Sequence, residues 1–132
     1  MHKWIRPMLP GALILAGAGW LSSCGHQQSF EAQYQTAQAN AASGAGAVYD
    51  NALGAALRVP GSPLALRECV INNPGQNSVH GYFEIKSSTD YAVVLQPKGG
   101  LADCIASHLE HHTVPEPPQS PYLNPFEFSV TP

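Results

Sequence analysis

The sequence predicts an α+β fold: a small antiparallel three-stranded sheet with two helices on one face, ordered helix-strand-strand-helix-strand. Three observations carry this expectation. In residues 79–86, Val79, Gly81, Phe83 and Ile85 alternate with His80, Tyr82, Glu84 and Lys86, the period of a strand with one buried face. The turn residues Ser87-Ser88-Thr89-Asp90 lead into a second apolar run, Tyr91 to Gln96, and so short a connection implies an antiparallel hairpin. Helical periodicity on both sides of the hairpin places one cysteine on the apolar face of each flanking helix.

The first of those helices is expected over 62–71. Ser62 is a capping residue and Pro63 suits the first helical position. Leu66, Cys69 and Val70 share a face at i, i+3 and i+4, and Asn72-Asn73-Pro74-Gly75 ends the element. After Pro97-Lys98-Gly99-Gly100, residues 101–112 read as the second helix. Leu101, Cys104, Ile105, His108, Leu109 and His112 lie on one stripe. From Val114-Pro115 to Pro125 the chain is Pro-rich and reads as an extended connection. Phe126, Phe128 and Val130 then alternate with Glu127 and Ser129 as a third strand.

Upstream, residues 47–58 read as an Ala-rich helix, with Tyr49, Leu53, Ala56 and Leu57 on one face and Pro60-Gly61-Ser62-Pro63 as its stop. Residues 24–46 are rich in Gln, Ala, Ser, Asn and Gly and read as a flexible tether, since such composition buries little apolar surface. Ala and Gln there still favour local helix. The expected organisation is a leader over 1–23, a tether over 24–46, a helix and linker over 47–61, and an α+β domain over 62–132.

The leader has a basic start (His2, Lys3, Arg6), an apolar run from Met8 to Leu21, and small residues after it. That run falls short of the about 20 residues a spanning helix needs and has the layout of a secretory signal. Leu21-Ser22-Ser23-Cys24 resembles the lipobox of bacterial lipoproteins. The resemblance implies cleavage before Cys24 and a lipid anchor on its thiol and new amine. Gly25, rather than Asp, follows the cysteine; in that family this implies the outer membrane, facing the periplasm. The alternative is an ordinary secretory signal with a chance cysteine.

On that reading Cys69 and Cys104 are left in an oxidising compartment, where a disulfide is expected; two buried free thiols are the alternative. The full chain carries six Lys and Arg against nine Asp and Glu. Removing 1–23 takes Lys3 and Arg6 and no acid, so four bases face nine acids, a net charge of −5. No basic patch remains, which argues against nucleic acid and against electrostatic docking on anionic lipid.

The residues 62–130 resemble the C-terminal domain of TonB-type energy transducers, and more closely its two-cysteine AgmX/PglI C-terminal type. Leu66-Arg67-Glu68-Cys69, Gly81-Tyr82-Phe83-Glu84-Ile85, Leu101-Ala102-Asp103-Cys104-Ile105 and Phe126-Glu127-Phe128 carry the resemblance. Val114 stands where the family has an aromatic residue, the hairpin turn lacks its usual glycine, and the link from hairpin to second helix is short. The resemblance implies a periplasmic interaction role without catalytic residues. An energy transducer also needs an inner-membrane helix, so transduction is not implied.

His108, His111 and His112 are the candidate metal ligands, because His108 and His112 are spaced i, i+4 on a helix. No HExxH occurs, and His80 or Glu110 would have to complete the set. The competing reading is a helix C-terminus, where histidines meet the last carbonyls and the dipole. No Gly-x-Ser-x-Gly elbow, Cys-x-x-Cys pair or phosphate-cradling Gly-rich loop occurs, and Glu68 and Glu84 read as solvated surface. The sequence thus predicts a non-enzymatic lipoprotein without cofactor, binding an envelope protein by strand addition at a sheet edge, with the Pro-rich run covering another edge. An immunity or inhibitor lipoprotein blocking a periplasmic hydrolase is the alternative function.

Overall fold

The computed structural model describes residues 28–131. The leader, the lipobox-like segment and Cys24 lie outside those residues. Seven elements follow in order: α1 (Phe30–Ala41), α2 (Gly44–Leu57), α3 (Ser62–Ile71), β1 (Ser78–Ile85), β2 (Tyr91–Gln96), α4 (Gly100–Leu109) and β3 (Tyr122–Ser129). The sheet is antiparallel with order β2-β1-β3. The expected α+β architecture is present. No helix among the described residues is long and apolar enough to cross a membrane.

The period of two in β1 sorts its residues between two faces. Val79, Phe83 and Ile85 join Leu95 of β2 and Tyr122 of β3 in the main core, together with Tyr49 and Leu53 of α2, Cys69 of α3, and Leu101, Ile105 and Leu109 of α4. Phe83 is 1% exposed and sits at its centre. The Cys69–Cys104 disulfide joins α3 to α4 with 5.7 Å between the Cα atoms. Gly81 belongs to the same face and keeps β1 and β2 close: a Cβ there would lie 1.8 Å from the Val94 carbonyl oxygen.

The opposite face is also covered, which the composition of 24–46 had not suggested. Residues 30–41 are a helix rather than part of a tether. Ser29 accepts a bond from Ala32 N at its start. Phe30, Tyr34 and Ala37 recur at i, i+4 and i+7 and pack on Tyr82, Val94 and Leu123. Three apolar residues among polar ones suffice because the sheet supplies the matching surface. The return into α2 is tight. A Cβ at Gly46 would lie 1.7 Å from the Asn40 carbonyl oxygen, so α1 and α2 meet backbone to backbone there.

Several boundaries differ from the sequence expectation, among them the start of α2, at Gly44 rather than 47. The second cysteine helix ends at Leu109 rather than 112, because Tyr91 Oη donates to the Leu109 carbonyl (2.6 Å) and accepts from His112 N (3.0 Å). The third strand begins at Tyr122, four residues before Phe126, and includes Pro125. The N-cap of α3 is Gly61, at φ 92°, rather than Ser62; the Ser62 hydroxyl instead donates to the Leu57 carbonyl (3.2 Å).

Candidate functional site

Among the described residues, the candidate histidines do not come together as one ligand set. His112 leaves the helix, and its Nε2 lies 2.8 Å from the His108 carbonyl oxygen, as a capping histidine does. His111 has φ 66° and lies exposed beside Glu110. His80 is on the other face of the sheet, between the rings of Phe30 and Tyr34 at 5.5 and 5.0 Å. His108 instead has Cys69 and Cys104 as neighbours, and their sulfurs are bonded to each other. Glu68 is exposed on α3, whereas Glu84 lies on the α1 side of the sheet with Tyr82 and His80.

The two edges of the sheet are unlike. The hairpin bond from Lys86 N to Asp90 O (2.9 Å) sets the phase of the ladder. By antiparallel alternation, Glu84, Tyr82 and His80 exchange bonds with Ala92, Val94 and Gln96, while Val79, Gly81, Phe83 and Ile85 exchange bonds with β3. The main-chain groups of Leu123, Pro125 and Glu127 therefore face the outer side of β3. Pro125 needs no partner for an absent N–H there, and Asn40 Nδ2 donates to the Leu123 carbonyl (2.9 Å). Helix α1 lies against this strand, closing that edge.

Across the sheet, β2 presents the main-chain groups of Tyr91, Val93 and Leu95 outward by the same phase, and no strand lies beyond it among the described residues. The strand Tyr-Ala-Val-Val-Leu-Gln carries no charge and no proline, the usual guards of an exposed edge. A shallow depression runs beside it, lined by Val93, Val94, Leu95, Lys98, Ala102, Asp103 and Ala106. The Pro-rich connection does not cover this edge. It crosses the end of the hairpin, where Val114 N donates to Ser88 O (2.9 Å) and Ser120 Oγ donates to Lys86 O (2.7 Å). Tyr49 Oη then donates to Pro115 O (2.7 Å), holding the connection against α2.

A second concavity opens between α2, α3 and β3. It has a volume of about 430 Å³ and apolar walls that include Leu53, Leu57, Leu66, Phe126 and Phe128. Asn124, 1% exposed, also lines it. The sequence led to the expectation of an open sheet edge but not to which strand bears it, and the groove was not anticipated. The ladder phase and the convergence of three distant segments are tertiary facts, although the uncharged run of β2 was visible. No family model, curated protein or solved structure matches this chain.

Proposed function

We propose that the chain is a non-enzymatic lipoprotein, anchored through Cys24 in the outer membrane and facing the periplasm, that binds an envelope protein by strand addition. The supporting observation is the contrast between the edges: β3 is closed by α1 and a proline, whereas β2 offers three residues of outward main chain without a charge to repel a partner strand. Main-chain hydrogen bonds give affinity in this mode, and flanking depressions select side chains. The lipobox-like segment supports the anchor, and the acidic mature chain makes the lipid the expected membrane contact.

The test uses the full lipidated chain in cells, with a photo-crosslinking residue at exposed Ala92. The expected result is a discrete crosslinked partner that disappears with Val93→Pro. This substitution removes an outward N–H and spares the β1 ladder, as Pro125 does on the other edge. The disulfide and the circular dichroism spectrum should be unchanged. Retention of the crosslink in the folded Val93→Pro chain would refute strand addition. Mass spectrometry of the mature chain tests the anchor separately: the expected product begins at acylated Cys24.

A further inference from the structure

Helices α3 and α4 bring three metal-binding side chains to one point. Cys69 Sγ, Cys104 Sγ and a ring nitrogen of His108 all lie within 4.8 Å of one another. The two sulfurs are bonded as a disulfide. In that state they are poor ligands, because it is the thiolate that holds a metal ion.

The bridge can open without moving the helices. The Cα atoms of Cys69 and Cys104 are 5.7 Å apart, and a change of side-chain rotamer is enough to part the sulfurs. Cys104 and His108 are spaced i, i+4 on α4, so they stay neighbours on one helix face whatever the state of the bridge. Ligands about 2.0–2.3 Å from a tetrahedral zinc ion stand about 3.5–3.8 Å from one another. Three atoms already confined to 4.8 Å reach that spacing by side-chain rotation.

Charge and exposure specify the ion further. Cys69 is fully buried, Cys104 is half-buried and His108 is exposed. Two thiolates neutralise a divalent cation, so the cluster would place no net charge against the core. Thiolate with imidazole suits zinc, whereas calcium and magnesium take oxygen ligands. A depression lined by Leu66, His108 and Leu109 reaches the histidine from solvent. Three protein ligands leave a fourth position to water.

We infer that Cys69, Cys104 and His108 form a zinc site gated by the disulfide, which takes the ion only after a dithiol reductant has opened the bridge. The dithiol closes to its own disulfide and passes two electrons and two protons to Cys69 and Cys104. Zinc then binds two thiolate sulfurs and one neutral imidazole nitrogen, and the two thiol protons leave to solvent. Bridge and zinc exclude each other. The inference does not depend on strand addition, which uses the main chain of β2.

Zinc chloride is the probe. It is titrated at neutral pH into the chain with its bridge intact and into the same chain reduced by a water-soluble phosphine, which is then removed without air. A chromophoric chelator competes for the ion, and circular dichroism follows the fold. The reduced chain is expected to bind one zinc ion at least about a hundredfold more tightly than the bridged chain. His108→Ala, an exposed change, should weaken that binding at least about tenfold. His111→Asn should leave it unchanged, since His111 is exposed, outside the set, and at a positive φ that asparagine accepts. If reduction loosens the helices, zinc should restore their dichroism, because metal binding is then coupled to folding. Equal binding by the bridged chain, undiminished binding by His108→Ala, or the same loss in His111→Asn would each overturn the inference. So would a reduced chain that takes up no stoichiometric zinc, whether it is folded or fails to refold with the ion.

Discussion

The two faces of the sheet are held by different chemistry. Toward α2, α3 and α4 the contacts are aliphatic and aromatic, closed around Phe83, Ile85, Leu101 and Ile105 and pinned by a disulfide. Toward α1 the cluster is small, and phenol hydroxyls reach across it: Tyr34 donates to Glu127, and Tyr82 donates to Gln33. The first face gains its stability from buried area, which grows with every apolar group. The second depends on a few directional bonds, each worth about 1 kcal/mol net. Folding therefore rests on the first face, while α1 is the element most easily released.

Damage to the two faces should differ in size. Phe83→Ala should destabilise by about 3–5 kcal/mol, enough to unfold much of the chain, as read by urea denaturation. A loss no greater than that of a surface substitution would contradict the position of Phe83 at the core centre. Cys69→Ser with Cys104→Ser opens a loop spanning a separation of 35 residues and should remove about 3–4 kcal/mol on the loop-entropy model. Native-like stability of the double variant would show that α3 and α4 need no covalent link.

Alkali tests both faces at once. Tyr34, on the α1 face, is pushed up to about 12 by burial and then by its bond to Glu127. Tyr49, on the core side, is pushed up to about 12 by burial and then by the neighbouring Tyr122. Below pH 10 both tyrosines keep their protons in folded and unfolded chains, and the difference is silent. From pH 10 to about 12 the unfolded chain ionises first, so stability should fall with rising pH, by up to about 1.4 kcal/mol per pH unit for each tyrosine. A flat stability curve over that window, measured by urea titration, would show that neither phenol is sequestered. Tyr82→Phe is the mildest change: about 1 kcal/mol, with faster amide exchange confined to α1. Equal loosening of α4 would erase the distinction between the faces.

The same distinction explains what was legible in the sequence. Apolar periodicity announces a face that folds by area, so β1, α3, α4 and the inward placement of Cys69 and Cys104 could be read from it, β2 from its uniform apolar run, and the disulfide from the expected oxidising compartment. The stripe of α1 is only Phe30, Tyr34 and Ala37 in a Gln- and Ala-rich stretch, and the hydrogen bonds that tie it to the sheet join residues more than 45 positions apart, Tyr34 with Glu127 and Gln33 with Tyr82. The start of β3 was hidden because proline argues against a strand unless the edge phase is known. The end of α4 was hidden because Tyr91, 18 residues upstream, accounts for it. Among the site residues, the capping reading of His112 was legible. The hydrogen-bonded pair of Asn124 and Asp50 in the groove was not, since 74 positions separate its members.

Helix α1 also sets a leash. It starts at Phe30, so on the proposed anchoring only four residues, five Cα-to-Cα steps, separate Cys24 from the Ser29 cap. At the maximum extension of about 3.6 Å per step, the five steps reach about 18 Å. A compact chain of this size is wider than that, with a radius of gyration near 13–14 Å. The module would then ride against the bilayer surface instead of sampling the periplasm at a distance. Any partner strand would have to come down to the membrane, and encounter would be a search in two dimensions more than in three.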